Sequence, residues 1–234
     1  LKAAGLALPE QIWAHGFVQL AGERFSKSAG VKLDLGEAVE RYGPDAFRYF
    51  LMREVPFDAD GNFSWERFEE RYTSDLANGF GNLASRTIAM IEKYREGVVP
   101  TWEASPFDVS FRTNVENYLQ AMFAYELHNG LESVMRGVSQ ANEYVAAKAP
   151  WKLARDPALA EALDETLATL AHALAALTVL LAPFMPAKAE SVWQQLGAPG
   201  LVREQRLDGL DTLDPTGWRV TRGAPLFPRE TAAP

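Results

Sequence analysis

The chain of 234 residues carries a net charge of −8, with 47% hydrophobic residues, 23% charged residues and no cysteine. That apolar fraction is ordinary for a folded globular chain and excludes wholesale disorder, while the lack of cysteine excludes disulfides and thiolate metal sites. An acidic chain has no general pull on nucleic acid, because non-specific affinity comes from Lys and Arg releasing counterions; RNA binding here would need a local patch and specific contacts.

The first residue is Leu1, nothing beside it reads as a signal peptide, and the start reads as a cut inside a longer protein. Residues 12–20 hold β-formers and stop short of Gly22, which predicts a strand. A lone strand makes no stable sheet, so its partners are expected upstream of Leu1. Asp34 can cap a helix over residues 35–42 that ends at Gly43. Pro44 fits the first turn of a second helix, with Ala46, Phe47, Phe50 and Leu51 on one face. Residues 58–62 read as a polar loop, and Ser64 can cap a long helical stretch reaching about Tyr94.

After a Pro-containing linker over 97–106, helices are expected over about 107–128, 130–148, 157–183 and 187–196. In the third of these, Leu163, Leu167, Leu170, Leu174, Leu177 and Leu181 alternate steps of four and three, the spacing of a bundle seam. The longest apolar stretch, from Leu170 to Met185, is interrupted by His172, Thr178 and Pro183, so no uninterrupted run of about 18 apolar residues occurs. From Gly197 onward the chain should pack as an irregular strap. His15, His128 and His172 lie far apart in sequence and read as packing or surface residues, leaving no expected metal site.

Chemistry concentrates at three places. Between the strand and the first helix, Ser26, Lys27 and Ser28 sit among small and glycine residues. A compact ammonium flanked by hydroxyls suits the oxygens of a triphosphate, although such a turn can equally be a solvated loop. It is not a P-loop, which needs Gly, four residues, then Gly-Lys-Ser or Gly-Lys-Thr.

Residues 75–86 place Gly79, Gly81, Asn78 and Asn82 in one helical stretch, where each Gly costs up to about 1 kcal/mol relative to Ala. Gly79, Gly81 and Ala84 mimic a dinucleotide-binding fingerprint, but the preceding residues are polar at helical spacing and not a buried strand. Asn78, Asn82 and Arg86 recur every fourth residue, share one face over about 12 Å, and carry paired hydrogen-bonding groups suited to base edges. A kinked helix junction is the alternative. Finally, Trp151 follows Pro150 at a helix start with Lys148, Lys152 and Arg155 around it. It could stack on an RNA base with phosphates nearby, or pack into a bundle corner.

Taken in order, these segments resemble the class I aminoacyl-tRNA synthetases. Arg24-Phe25-Ser26-Lys27-Ser28 is similar to that class's Lys-Met-Ser-Lys-Ser loop, with Arg24 and Phe25 replacing its Lys and Met. The stretch Ser74-Asp75-Leu76-Ala77-Asn78 and Gly81-Asn82-Leu83-Ala84-Ser85-Arg86 narrows the resemblance to the methionyl-tRNA synthetase family, as do Tyr144-Val145, Ala149-Pro150-Trp151-Lys152, Leu181 to Pro186 and Pro225 to Arg229.

The resemblance implies a mainly α chain: an antiparallel helical anticodon-binding bundle over residues 74–234, preceded over 1–73 by the C-terminal remnant of a Rossmann-like catalytic domain. It implies a cytoplasmic enzyme that joins methionine to tRNA(Met) through methionyl-adenylate, using ATP and Mg2+. Arg24, Ser26, Lys27 and Ser28 would contact ATP, Lys27 would stabilise the pyrophosphate leaving group, and Asn78, Asn82, Arg86 and Trp151 would read the CAU anticodon. The ATP-cradling His-Ile-Gly-His type motif is not in this chain, so ATP and methionine would be held mainly by an N-terminal half, and the chain alone is expected to be inactive. Two alternatives stand beside this reading: a class I synthetase for Leu, Ile, Val or Cys, and a non-catalytic tRNA-binding helical module.

Overall fold

The computed structural model describes residues 1–20, 23–24, 35–56 and 59–228. Among them helices dominate, with one small sheet near the start. Only Val18–Leu20 of the expected strand forms β1, and residues 11–17 approach it in irregular conformation. β1 pairs antiparallel with β2, Glu23–Arg24, and parallel with β3, Gly61–Phe63, in the register Val18 to Gly61 and Leu20 to Phe63. The partners therefore lie downstream, within the chain. β3 hides in what reads as a polar loop because it is three residues long, with Gly61 and Phe63 buried and Asn62 exposed between them. Asp60 fastens the junction by accepting from the Phe17 amide at 2.8 Å and the Gln19 side-chain amide at 2.9 Å.

α1, Leu35–Tyr42, ends at Gly43, whose φ of 84° suits glycine, and Pro44 then opens α2, Pro44–Glu54. The buried face of α2 is Asp45, Ala46, Tyr49 and Phe50, while Phe47 and Leu51 are only half-buried. α2 thus buries two polar groups that its apolar pattern does not reveal.

Ser64 caps α3, Trp65–Arg71, accepting from the Arg67 amide at 3.2 Å. The helical stretch continues without a break as a π-helical segment, Tyr72–Gly81, and then as α4, Asn82–Arg95. A π-helix closes its hydrogen bonds one residue later than an α-helix, and such segments recur at functional sites. Gly81 earns its helix cost by close approach, whereas the side chains beside Gly79 stand at ordinary packing distance. A Cβ at Gly79 would lie 3.6 Å from Met135 Cε and 3.7 Å from Val138 Cγ1, and one at Gly81 would lie 3.1 Å from the Phe227 ring and 2.9 Å from the Leu76 carbonyl. The segment is gripped between a bundle helix on one side and the C-terminal strap on the other.

The bundle comprises α5, Pro106–Phe123; α6, Leu127–Lys148; the single turn α7, Pro150–Leu153; α8, Ala160–Leu181; and α9, Pro186–Gln195. α8 is central, touching α4, α5, α6, α7 and α9. Its seam leucines are all buried, but so is every residue from Thr166 to Leu181, making it apolar-packed on all sides and not on a single stripe. The helical span 157–181 is long and apolar enough to cross a membrane, with a mean hydropathy of 1.3, yet 89% of that window is buried inside the protein. His172 is a packing residue: Nδ1 meets Asp108 at 2.8 Å and the ring stacks on Trp102 at 4.1 Å. The strap beyond α9 pairs Arg219 with Val98 in an isolated bridge and ends with the Tyr72 hydroxyl donating to the Pro228 carbonyl at 2.8 Å.

Candidate nucleic-acid interface

The gripped π segment creates an open groove of about 510 Å³. One wall is the face carrying Asn78, Asn82 and Arg86; the other is the strap from Arg222 to Phe227, with Gln195 of α9 at the end. Asn78 is exposed, while Asn82 and Arg86 are half-buried. All three side chains thus line one surface although the helix changes from π to α between Asn78 and Asn82.

Trp151 does not line this groove, but it stands next to it. The Arg86 guanidinium carbon lies 5.6 Å from the centre of the Trp151 ring, within cation–π range. The residue is 38% exposed, so Trp151 is partly open to solvent and partly covered, and not sunk wholly into a bundle corner. α7 presents it: the αL conformation of Ala149, φ 46°, ends α6 and Pro150 starts the new turn. Lys148, Lys152 and Arg155 are exposed around it, with Lys148 Nζ 5.5 Å from the Tyr144 ring. These three cations fall within eight residues of a chain whose net charge is −8, with Glu143 and Asp156 also exposed beside them.

The walls are held by hydrogen bonds. Asn142 of α6 donates to the carbonyl of Gly79 at 3.3 Å, satisfying an acceptor of the π segment. On the strap, Arg222 donates through its amide to Glu92 at 3.0 Å and pairs through Nε with the same carboxylate at 2.5 Å. Gln195 accepts from the Gly223 amide at 3.1 Å. Three residues before Asn78, Asp75 accepts from the Tyr49 hydroxyl at 2.7 Å and from Arg71 at 3.2 Å. Burial first, and then the Asp75 carboxylate, push the Tyr49 hydroxyl well above the usual phenol range, so it stays a donor at any ordinary pH.

Sequence reading missed the strap wall. Pro225-Leu226-Phe227-Pro228-Arg229 stood out only as a resemblance, and nothing in periodicity assigns an irregular segment to a groove 140 residues upstream. Of the ATP-loop residues, Ser26, Lys27 and Ser28 lie outside the described residues; Arg24 is seen only as backbone in β2. Among the described residues no three His, Asp or Glu side chains gather as a metal-holding group.

Comparison with known proteins decides between the alternatives. Residues 1–88 match the sequence model of the class I tRNA synthetases (M), and residues 110–218 match that of the anticodon-binding domain of tRNA ligases. Methionine–tRNA ligase from Caldanaerobacter subterraneus subsp. tengcongensis is 40% identical over 245 residues, and that from Bacillus subtilis (strain 168) is 38% identical over 239. The chain belongs to the methionyl-tRNA synthetase family. Both alignments cover 98% of this chain but only 36% and 35% of the relatives, so the chain spans about a third of the length of the curated synthetases it matches. A solved Mycobacterium tuberculosis methionyl-tRNA synthetase in complex with methionyl-adenylate superimposes with a TM-score of 0.87 at 31% identity, covering 97% of this chain and 46% of that one. The mainly α architecture is thus that of the later part of a methionyl-tRNA synthetase. A synthetase for Leu, Ile, Val or Cys gives way to this assignment.

Proposed function

We propose that this chain is the anticodon-reading part of a methionine–tRNA ligase, selecting tRNA(Met) by its CAU anticodon. The observation that carries the reading is the groove beside Trp151, one wall of which bears Asn78, Asn82 and Arg86. Asn and Arg offer the paired donors and acceptors that distinguish base edges, and a half-exposed Trp offers a stacking platform for an unstacked loop base. The relatives' name, methionine–tRNA ligase, supports CAU as the sequence read.

In the longer enzyme, residues 1–73 would close the catalytic domain and residues 74–234 would bind the anticodon arm. Arg24, Ser26, Lys27 and Ser28 would face ATP, with Mg2+ arriving on its phosphates. Lys27 would stabilise charge developing on pyrophosphate as methionyl-adenylate forms, an interaction stronger in the transition state than in the ground state. Support for that role is the match of residues 1–88 to the class I synthetases.

Amide hydrogen exchange, with and without a CAU anticodon stem-loop, locates the interface. Added protection should appear at residues 76–86, 149–153 and 222–227. Protection confined to other parts of the bundle would sink the reading.

A further inference from the structure

One helix touches both walls of the groove without lining it. On α2, Asp45, Arg48 and Tyr49 stand at i, i+3 and i+4, and so share a face. Tyr49, fully buried, donates to Asp75 at 2.7 Å, three residues before Asn78 in the π segment. Asp45, only 4% exposed, accepts from the Lys188 amide at 2.6 Å in the first turn of α9. Arg48 donates to the carbonyls of Pro183 at 2.9 Å and Phe184 at 3.2 Å, in the turn between α8 and α9.

The charges suit their places: the carboxylate meets the positive end of α9, and the guanidinium takes the carbonyls just beyond the negative end of α8. From there the strap wall follows. Lys188 Nζ lies 5.5 Å from the ring of Phe227, which lines the groove, and Gln195 at the other end of α9 holds Gly223. α2 thus fastens the π-segment wall through Tyr49 and the α9–strap wall through Asp45 and Arg48. It belongs to the stretch matched by the catalytic family model, whereas α9 belongs to the stretch matched by the anticodon-binding model.

We propose that Asp45, Arg48 and Tyr49 are positioning residues that set the separation of the two groove walls and through it the selectivity for anticodon bases. None of them reaches the groove. Their effect on selectivity rests on the anticodon reading above; their effect on wall separation does not. A hydrogen-bonding site discriminates only when its donors and acceptors are held to the geometry of the correct base, so slack between the walls should reduce the preference for the right RNA before it reduces binding as such.

The absence of cysteine allows single-pair labelling. Spin labels at Ser85→Cys and Ala224→Cys, one on each wall, report the width as a distance distribution. Tyr49→Phe removes one hydroxyl and Arg48→Met removes the guanidinium at similar volume, so both variants should fold, with Arg48→Lys as the conservative control. Each of the first two should broaden the distribution, and Arg48→Lys should narrow it again towards wild type. In unlabelled protein the same two variants should reduce the ratio of affinities for CAU and changed-anticodon stem-loops about tenfold, with affinity for the changed loop unaltered. A distribution as narrow as wild type in both variants overturns the inference. So does a broadened one with full discrimination. If wild-type protein shows no preference for CAU, the anticodon reading fails and the label distances alone decide whether α2 sets the walls.

Discussion

The guanidinium of Arg86 lies 5.6 Å from the centre of the Trp151 ring, joining the groove face of α4 to the exposed aromatic of α7. These residues are 65 positions apart, and neither touches the other's helix by periodicity alone. The contact places a hydrogen-bonding cation and a stacking surface side by side, which is what recognition of an unstacked base requires. Trp151→Ala should weaken binding of a CAU stem-loop roughly 5- to 150-fold, the equivalent of one base–aromatic stack. Because the residue is 38% exposed and otherwise covered, the same change should lower the melting temperature by only a few degrees, the equivalent of about 1–2 kcal/mol. A large loss of stability together with lost binding would instead make Trp151 a packing residue.

Asn78→Ala separates function from stability by size. The residue is exposed on the groove face, so alanine should change stability by no more than about 1 kcal/mol. Discrimination between CAU and a changed anticodon should fall by about 1–3 kcal/mol. Calorimetry and RNA titration on the same preparation check both halves.

Gly81→Ala has the reverse logic. Helix propensity favours alanine by up to about 1 kcal/mol, but its Cβ would meet the Phe227 ring at 3.1 Å and the Leu76 carbonyl at 2.9 Å. Overpacking of about 1–3 kcal/mol should win, lowering the melting temperature by roughly 2–4 °C and displacing the strap. An increase in melting temperature would mean the strap yields freely.

Asp108 links α5 to both the linker and α8. Burial alone would raise its carboxyl, but hydrogen bonds from His172 and from the side chain and backbone of Ser105 outweigh burial and hold it below the usual carboxylate range. A depressed carboxylate contributes stability that is present above its unfolded pKa, near about 4, and is lost as pH falls through the folded value. Asp108→Asn should therefore cost about 1.5–3 kcal/mol at pH 6 in urea denaturation, with the difference from wild type shrinking below about pH 4.

The isolated chain should support no methionine-dependent ATP–pyrophosphate exchange, since its sequence contains no His-Ile-Gly-His type motif. Measurable exchange would mean that residues of this chain cradle ATP unaided.

Where local chemistry decides the structure, the sequence was readable. Gly43 and Pro44 mark the α1–α2 junction, Ser64 caps α3, and Pro150 opens α7, because each acts on backbone within one turn. Non-local packing was not readable. Gly81 looks like a helix flaw until Phe227 is seen against it. β3 is invisible in sequence because a three-residue strand carries too little alternation, and its parallel partner lies 43 residues earlier. The candidate site divides the same way: Asn78, Asn82, Arg86 and Trp151 stood out by residue type and spacing, while the strap wall and the supporting face of α2 needed the fold. The loop at Lys27 lies outside the described residues, and its role rests on sequence.

The most direct test of the anticodon assignment is the affinity of this chain for a CAU stem-loop against one with a changed anticodon, at two salt concentrations. The account predicts a preference for CAU that survives the higher salt and disappears in Trp151→Ala, because specific contacts and not phosphate attraction carry it. Equal affinities that fall together as salt rises, or no binding at all, would contradict it.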